Sequence, residues 1–269
     1  MGERFVFPLN IQLPYMEATE KNMDFVDVLK LLQAEGFSGV ELNITDFSDP
    51  APLQRLLAKY RLKLSMVASG AFAVRNSLAL SATDEAVRVR TVAEMKKILA
   101  FAKEFGAGVI CGFIKGTANL DKAVATAQLQ KSIAALADAP APLYLEATNH
   151  YEATLVNTIA EGVAFIDGVG ENLHVLPDTY HMNIEETGIA QALVRYAGVY
   201  RNLHLSDNNR YFPGFGAINF REVYGVLRAM GYTGATAVEG RVLRSPRDDI
   251  MATAAYLEDC SKGLRQWNR

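Results

Sequence analysis

Short apolar runs alternate with helix-length amphipathic stretches eight times along this 269-residue chain, and no other feature of the sequence restricts its fold so strongly. Apolar, β-branched-rich runs of about four to eight residues bounded by turn residues read as strands. They fall at 5–12, 39–43, 62–67, 109–113, 142–146, 173–177, 200–205 and 234–238. A helical pattern follows each. Residues 22–35 place Met23, Val26, Leu29 and Leu32 at helical spacing before Gly36 stops them, and further patterns lie at 50–59, 84–105, 120–137, 153–167, 186–196, 218–230 and 247–265. In the third of these, Ser81 or Thr83 followed by Asp84 and Glu85 supplies an N-terminal cap and favourable first-turn charges.

Eight strand–helix pairs imply parallel strands joined by crossovers, and strands apolar on both faces imply burial between helices outside and a filled interior. The expected fold is therefore α/β, a single (β/α)8 TIM barrel occupying residues 1–269 as one domain, in keeping with the ~250 residues such a barrel uses. A doubly wound open sheet is the alternative, but it gathers ligands at one topological switch point. Half of the residues are hydrophobic and 21% charged, which supplies a large core and argues against disorder. No linker or low-complexity tract marks a second domain.

Several runs stop abruptly at a residue with ligand chemistry. LHVLPDTYH ends at Asp178 with His181 three residues on, LYLEATNHYE ends at Glu146, NLHLSDNNR contains His204, and GATAVEGR ends at Glu239. From Glu146 the successive separations are 32, 26 and 35 residues, each close to one strand plus one crossover helix. Singly, Asp178 could cap a helix, His204 could be a satisfied core histidine, Glu239 could end a buried ion pair and Glu146 a solvated strand. Together they fall at the carboxyl ends of four successive strands, where catalytic groups of such barrels gather. Two glutamates, an aspartate and a histidine form an oxygen-rich set that suits one divalent ion, manganese or magnesium, and could also accept cobalt or zinc.

A net charge of −3 and a pI near 5.9 give no basic excess to recruit nucleic acid or an anionic membrane, so a small neutral or weakly charged partner is expected. Cys111 and Cys260 form no metal-ribbon pattern and read as reduced core thiols. The first residues lack the apolar region of a secretory signal, and no apolar run of about 18 residues could span a bilayer. A cytoplasmic location is expected.

The segments LEATNHYEATLVNT, LPDTYHMNIEE, LHLSDNNRYFPGFGAINF and AVEGR make residues 140–243 resemble the xylose-isomerase-like barrels, most of all the ketose (tagatose and psicose) 3-epimerases. GFSGVELN, DEAVRVRTVAEMKKILAFAKEFGAGVI and GFIKG extend a looser likeness to the N-terminal half. The resemblance implies that Glu146, Asp178, His204 and Glu239 bind one metal, commonly manganese. It also implies that His181 and Arg210 contact substrate oxygens, that Glu152 supports the site, and that the chain forms a homodimer or tetramer.

Epimerising a ketose at carbon 3 requires loss of a weakly acidic hydrogen, made feasible by a metal-stabilised enediolate, and a base and an acid on opposite faces. Glu146 and Glu239, from the fifth and eighth strands, are the candidates for those two roles. The same ligand set would serve an aldose–ketose or hydroxypyruvate-type isomerase. No glycine loop cradles a phosphate, although Lys115 or Arg241 could meet one, which keeps a sugar phosphate open as substrate. Asn10, Gln12, Glu41, Ser69, Phe72 and Phe113 are candidate pocket residues. The abasic-site endonucleases share the barrel but need histidines from early strands, and this chain has none before His150. A sugar-binding barrel without activity is the last alternative, and retention of both glutamates argues against it.

Overall fold

The computed structural model describes residues 4–14 and 16–264. At its centre lies a parallel sheet of β1 (Leu9–Gln12), β2 (Gly39–Asn43), β3 (Lys63–Ala68), β4 (Gly108–Cys111), β5 (Leu143–Glu146), β6 (Leu173–Leu176), β7 (Asn202–Leu205) and β8 (Ala235–Val238). The strand order is β6-β5-β4-β3-β2-β1-β8-β7, so β1 pairs with both β2 and β8 and the sheet wraps into a nearly closed TIM barrel. Helices α1 (Met23–Ala34), α2 (Ala51–Lys59), α3 (Gly70–Asn76), α4 (Glu85–Lys103) and α5 (Lys122–Ala134) belong to the first half. In the second half follow α6 (Ile159–Ile166), α7 (Thr179–Glu185), α8 (Ile189–Arg195), α9 (Phe220–Ala229) and α10 (Pro246–Ser261). None of the described helices is long and apolar enough to cross a membrane.

Side chains alternate in and out along each strand. Val40 and Leu42 of β2, Leu143 and Leu145 of β5, and Leu203 and Leu205 of β7 join the main hydrophobic core, while Met66, Ala68, Ile110, Tyr144 and Leu176 form a smaller separate cluster. The strands are thus not apolar on both faces throughout. The alternate positions of β1, β2 and β7 carry buried Asn10, Glu41, Asn202 and His204. Counting by two from Tyr144 or Asn202 reaches Glu146 or His204, which is how the pleat delivers polar groups to the carboxyl end of the barrel.

The seam between β6 and β7 is where the barrel departs from a regular ladder. Only a single bridge joins Asp178 to His204, with the His204 N–H donating to the Pro177 carbonyl at 3.0 Å. Beyond it the Thr179 hydroxyl replaces the backbone, donating to the Ser206 carbonyl at 2.6 Å and accepting from the Ser206 N–H at 2.9 Å. Pro177 has no N–H to continue a ladder, so the side chain of Thr179 satisfies what the strand cannot.

Some boundaries differ from the sequence expectations for identifiable reasons. The first strand begins at Leu9 rather than residue 5, because Pro8 offers only its carbonyl, which accepts from the Thr236 N–H at 2.9 Å. The fourth ends at Cys111, and Phe113–Lys115 form a 3-10 turn. The helix expected over 153–167 starts only at Ile159, where Thr158 caps the Glu161 N–H, and α4 is capped by Asp84 itself, not by Ser81 or Thr83. The expected end of the last helix at 265 lies outside the described residues. The seven-residue α3 and α7 were not anticipated, since about two turns hold too few positions to display a 3.6-residue period.

Candidate metal centre and active site

Glu146, Asp178, His204 and Glu239 meet at the carboxyl end of the barrel, each offering a ligand atom within 4.8 Å of all the others. His204 Nδ1 lies 2.6 Å from a Glu239 oxygen, 3.6 Å from Glu146 and 4.0 Å from Asp178. Its other nitrogen, Nε2, is 2.9 Å from Glu41, which is fully buried and also accepts from the Asn202 amide at 3.1 Å. Glu41 therefore fixes the imidazole with Nε2–H donating downward and leaves Nδ1 aimed at the three carboxylates, the arrangement in which a buried acid orients a metal-binding histidine. Hard oxygens with one imidazole suit a divalent cation, so these residues fit the ion expected from the sequence.

Three converging carboxylates repel one another unless positive charge intervenes. Arg210 supplies part of it, donating from one guanidinium nitrogen to Asp178 at 2.6 Å and from the other to Glu239 at 2.7 Å. Burial raises the Glu239 carboxyl, but Arg210 and His204 outweigh burial and hold it at about 2. Glu146 is likewise lowered against the effect of burial, chiefly by His204. For His204, burial opposes protonation, yet Glu41 and Glu239 hold its imidazole well above the ordinary histidine range. Protons and a guanidinium thus supply the charge that a bound cation would supply, and metal ligands must give up such protons on binding.

Asp178 serves in both of the ways its sequence allowed. Oδ1 accepts from the Tyr180 N–H at 2.7 Å as the cap of α7, while Oδ2 pairs with Arg210. Arg210 sits in the left-handed region at φ +64°, a conformation costing a non-glycine residue on the order of 1 kcal/mol. Asp207 holds the loop that imposes it. This fully buried carboxylate accepts from the N–H groups of Asn208, Gly214, Gly216 and Ile218, and its backbone exchanges hydrogen bonds with Arg210 and Tyr211. A Cβ at Gly216 would strike the Asp207 and Asn208 side chains, so the loop closes only on glycine there. Arg210 also stacks over Tyr180, 5.0 Å from the ring centroid.

His181, on α7, is buried, and its Nδ1 faces the Asn149 backbone N–H at 3.2 Å and side-chain amide at 2.8 Å. Two donors on Nδ1 make it an acceptor, which places the ring proton on Nε2. The Asn149 amide also donates to Glu152 at 3.1 Å, so Glu152 orients His181 through Asn149.

A cavity of about 750 Å3 opens above this centre, lined by Glu146, Glu239, His181, Arg210 and Glu152 together with residues of the first strands. Asp178 and His204 do not reach its wall; of the four metal-type ligands only the two glutamates do. Among the candidate pocket residues Gln12, Ser69 and Phe113 line it, whereas Asn10 lies buried lower in β1, Glu41 sits beneath His204, and Phe72 packs on Phe47 at 5.2 Å. Lys115 is not placed to meet a phosphate, being 1% exposed with its ammonium donating to Thr148 at 2.6 Å. Arg241 is exposed and does not line the cavity. Cys111 and Cys260 are free and buried, and burial pushes the Cys111 thiol up to about 12.

The sequence offers Glu41 only as a candidate pocket residue, and its role beneath His204 was not apparent from GVELN. Replacing Glu41 with glutamine should weaken the affinity of this centre for a divalent ion, manganese being the one to titrate, by about 10- to 100-fold, because outer partners of a metal-binding histidine contribute that much. Competition titration with a chelator reads the change, and unaltered affinity would remove Glu41 from the centre.

The family described as xylose isomerase-like TIM barrel matches residues 24–260. An L-ribulose 3-epimerase of Mesorhizobium japonicum is 34% identical over 162 residues, covering 57% of this chain and 54% of that protein. A D-psicose 3-epimerase of Enterocloster bolteae is 34% identical over 125 residues, covering 46% of this chain and 42% of that protein. The chain thus spans about half the length of these curated relatives. Among solved structures, a 3-keto-D-glucoside 4-epimerase from E. coli superposes with a TM-score of 0.80 at 22% identity, covering 94% of this chain and 100% of that one, a likeness of fold.

Proposed function

The chain belongs to the xylose isomerase-like TIM barrel family, and from that membership and the geometry of the centre we propose that it is a divalent-metal-dependent sugar epimerase acting at carbon 3 of a ketose. The observation that carries this reading is the placement of Glu146 and Glu239. They rise from β5 and from the end of β8, and they alone among the four ligand-type residues face the cavity. Epimerisation needs proton removal on one face of a carbon and delivery on the other, and two carboxylates on separate strands across the barrel mouth can divide that work. The curated 3-epimerase relatives support the choice of carbon 3.

Glu146, Asp178, His204 and Glu239 would hold the ion, manganese in our reading. When bound, it supplies the positive charge that acidifies the hydrogen beside the ketose carbonyl and stabilises the resulting enediolate. The remaining work belongs to the chain. Glu146 or Glu239 takes the carbon-3 proton and the other returns one to the opposite face. His181 donates through Nε2–H to a substrate oxygen, its tautomer set by Asn149 and Glu152. Arg210 has five N–H donors, and the two bound to Asp178 and Glu239 leave others for a substrate hydroxyl or carbonyl.

Arg210→Lys should lower kcat/KM by at least about 10-fold, because a point-charge ammonium cannot span Asp178 and Glu239 and also donate to substrate. Steady-state kinetics at saturating manganese measure it, and a change below about twofold would place Arg210 outside the reaction. The reading as a whole is tested by incubating the manganese-loaded protein with free ketoses and separating the products by chromatography. The carbon-3 epimer is expected; products that are solely aldoses would replace epimerase with isomerase.

A further inference from the structure

A second cavity of about 390 Å3 adjoins the first, and Val74 and Phe113 line both. The pair is larger than one sugar requires. A hexose of about twelve heavy atoms displaces on the order of 200 Å3, some six or seven waters at about 30 Å3 each. The cavity over the carboxylates, at about 750 Å3, already exceeds that, and the adjoining space alone is large enough for a second ring.

The walls of the second cavity are chemically specific. Ser81 is 1% exposed, and its hydroxyl has no hydrogen-bond partner among the described residues. A buried hydroxyl left unpaired is unfavourable, and a ligand hydroxyl would relieve that cost. Asp84 and Asp121 each use Oδ1 to cap a helix, accepting from the N–H of Ala86 at 2.8 Å and of Val124 at 3.0 Å. The caps fix both carboxylates at the cavity, and their second oxygens remain as acceptors. Acceptor-only groups suit the hydroxyls of a neutral polyol, whereas a phosphate or carboxylate would meet two like charges. Where the two cavities join, Phe113 is 46% exposed and Val74 67%, apolar surface of the kind that marks a binding groove and matches the C–H face of a pyranose.

We infer that the cavity between α3 and the starts of α4 and α5 is a subsite for a second, neutral sugar unit, so that the preferred substrate is a glycosylated ketose rather than a free monosaccharide. The inference rests on the ketose reading above for the identity of the first sugar, while the subsite itself rests on its own residues. Val74 and Phe113 form the threshold, Ser81 meets a hydroxyl of the outer unit from below, and Asp84 and Asp121 accept from its rim hydroxyls.

Isothermal titration of the manganese-loaded protein with fructose, maltulose and isomaltulose tests it, the two disaccharides carrying a glucosyl group on carbon 4 or carbon 6 of fructose. At least one disaccharide should bind 10-fold or more tightly than fructose. Thr117→Trp, an exposed position lining only the second cavity, should fill that space and bring the ratio of disaccharide to fructose affinity to about one. Ser81→Ala should lower the same ratio about threefold or more. Equal binding of the three sugars by the unsubstituted protein, or a preference that survives Thr117→Trp, would overturn the subsite. Carbon-3 epimerisation of fructose without any disaccharide preference would overturn the subsite and leave the epimerase standing. A preference abolished by Thr117→Trp, with no epimer formed from any of the three, would sustain the subsite and overturn the epimerase. Failure of all three sugars to bind would overturn both.

Discussion

Glu146→Gln and Glu239→Gln should each lower carbon-3 epimerisation by about 1,000-fold at saturating manganese, an increase of ~4 kcal/mol in the barrier. A glutamine keeps the shape of the side chain and one oxygen for the ion, but it can neither take nor give the proton. Both residues are also ligand candidates, so turnover has to be compared where added manganese no longer raises it. The two variants should differ from the unsubstituted protein in a second way. Loss of one partner leaves the other able to remove and return a proton on its own face, so substrate hydrogen can still exchange with solvent while epimer formation stops. Either variant turning over at a rate within about threefold of the unsubstituted protein would show that its glutamate is not one of the two proton carriers.

The second large effect is on the ion. Asp178→Asn should weaken manganese binding by more than about 100-fold, beyond what loss of an outer partner produces, because it removes a charged ligand and releases one arm of Arg210. The fold should tolerate it. Asparagine caps a helix about as well as aspartate, so its Oδ1 can keep the Tyr180 N–H of α7 satisfied. Metal analysis after dialysis and thermal melting of the metal-free protein separate the two consequences: the variant should lose its ion while melting within a few degrees of the unsubstituted chain. A variant that retained stoichiometric manganese would place the ion elsewhere, and one that failed to fold would make Asp178 a structural residue first.

The convergence of four ligand-type residues was legible because strand and helix lengths repeat. Glu146, Asp178, His204 and Glu239 are spaced by one β/α unit each, and the barrel converts that spacing into convergence at one rim. What escaped the sequence depends on contacts distant along the chain or on elements too short to have a period. Glu41 meets His204 across 163 positions, and nothing in GVELN says that this glutamate will lie beneath an imidazole. Asp207 reads as one more polar residue of a turn, yet four backbone N–H groups converge on it and hold Arg210 in place. The helix carrying His181 and the helix lining the cavity beside Val74 are each seven residues long. Asn202 on the inward face of β7 was masked by its neighbours, because in so short a strand one polar position barely interrupts an apolar run.

In the reaction proposed above, Glu146 and Glu239 act on opposite faces of carbon 3 of a ketose. Running the reaction in deuterated water and locating the label by NMR tests it most directly. The geometry predicts deuterium at carbon 3 of the epimerised product, incorporated by the unsubstituted protein with manganese present. Deuterium found only at carbon 1 of the ketose would contradict the claim: the acid and base would then be working on the terminal carbon, as an aldose–ketose isomerase does.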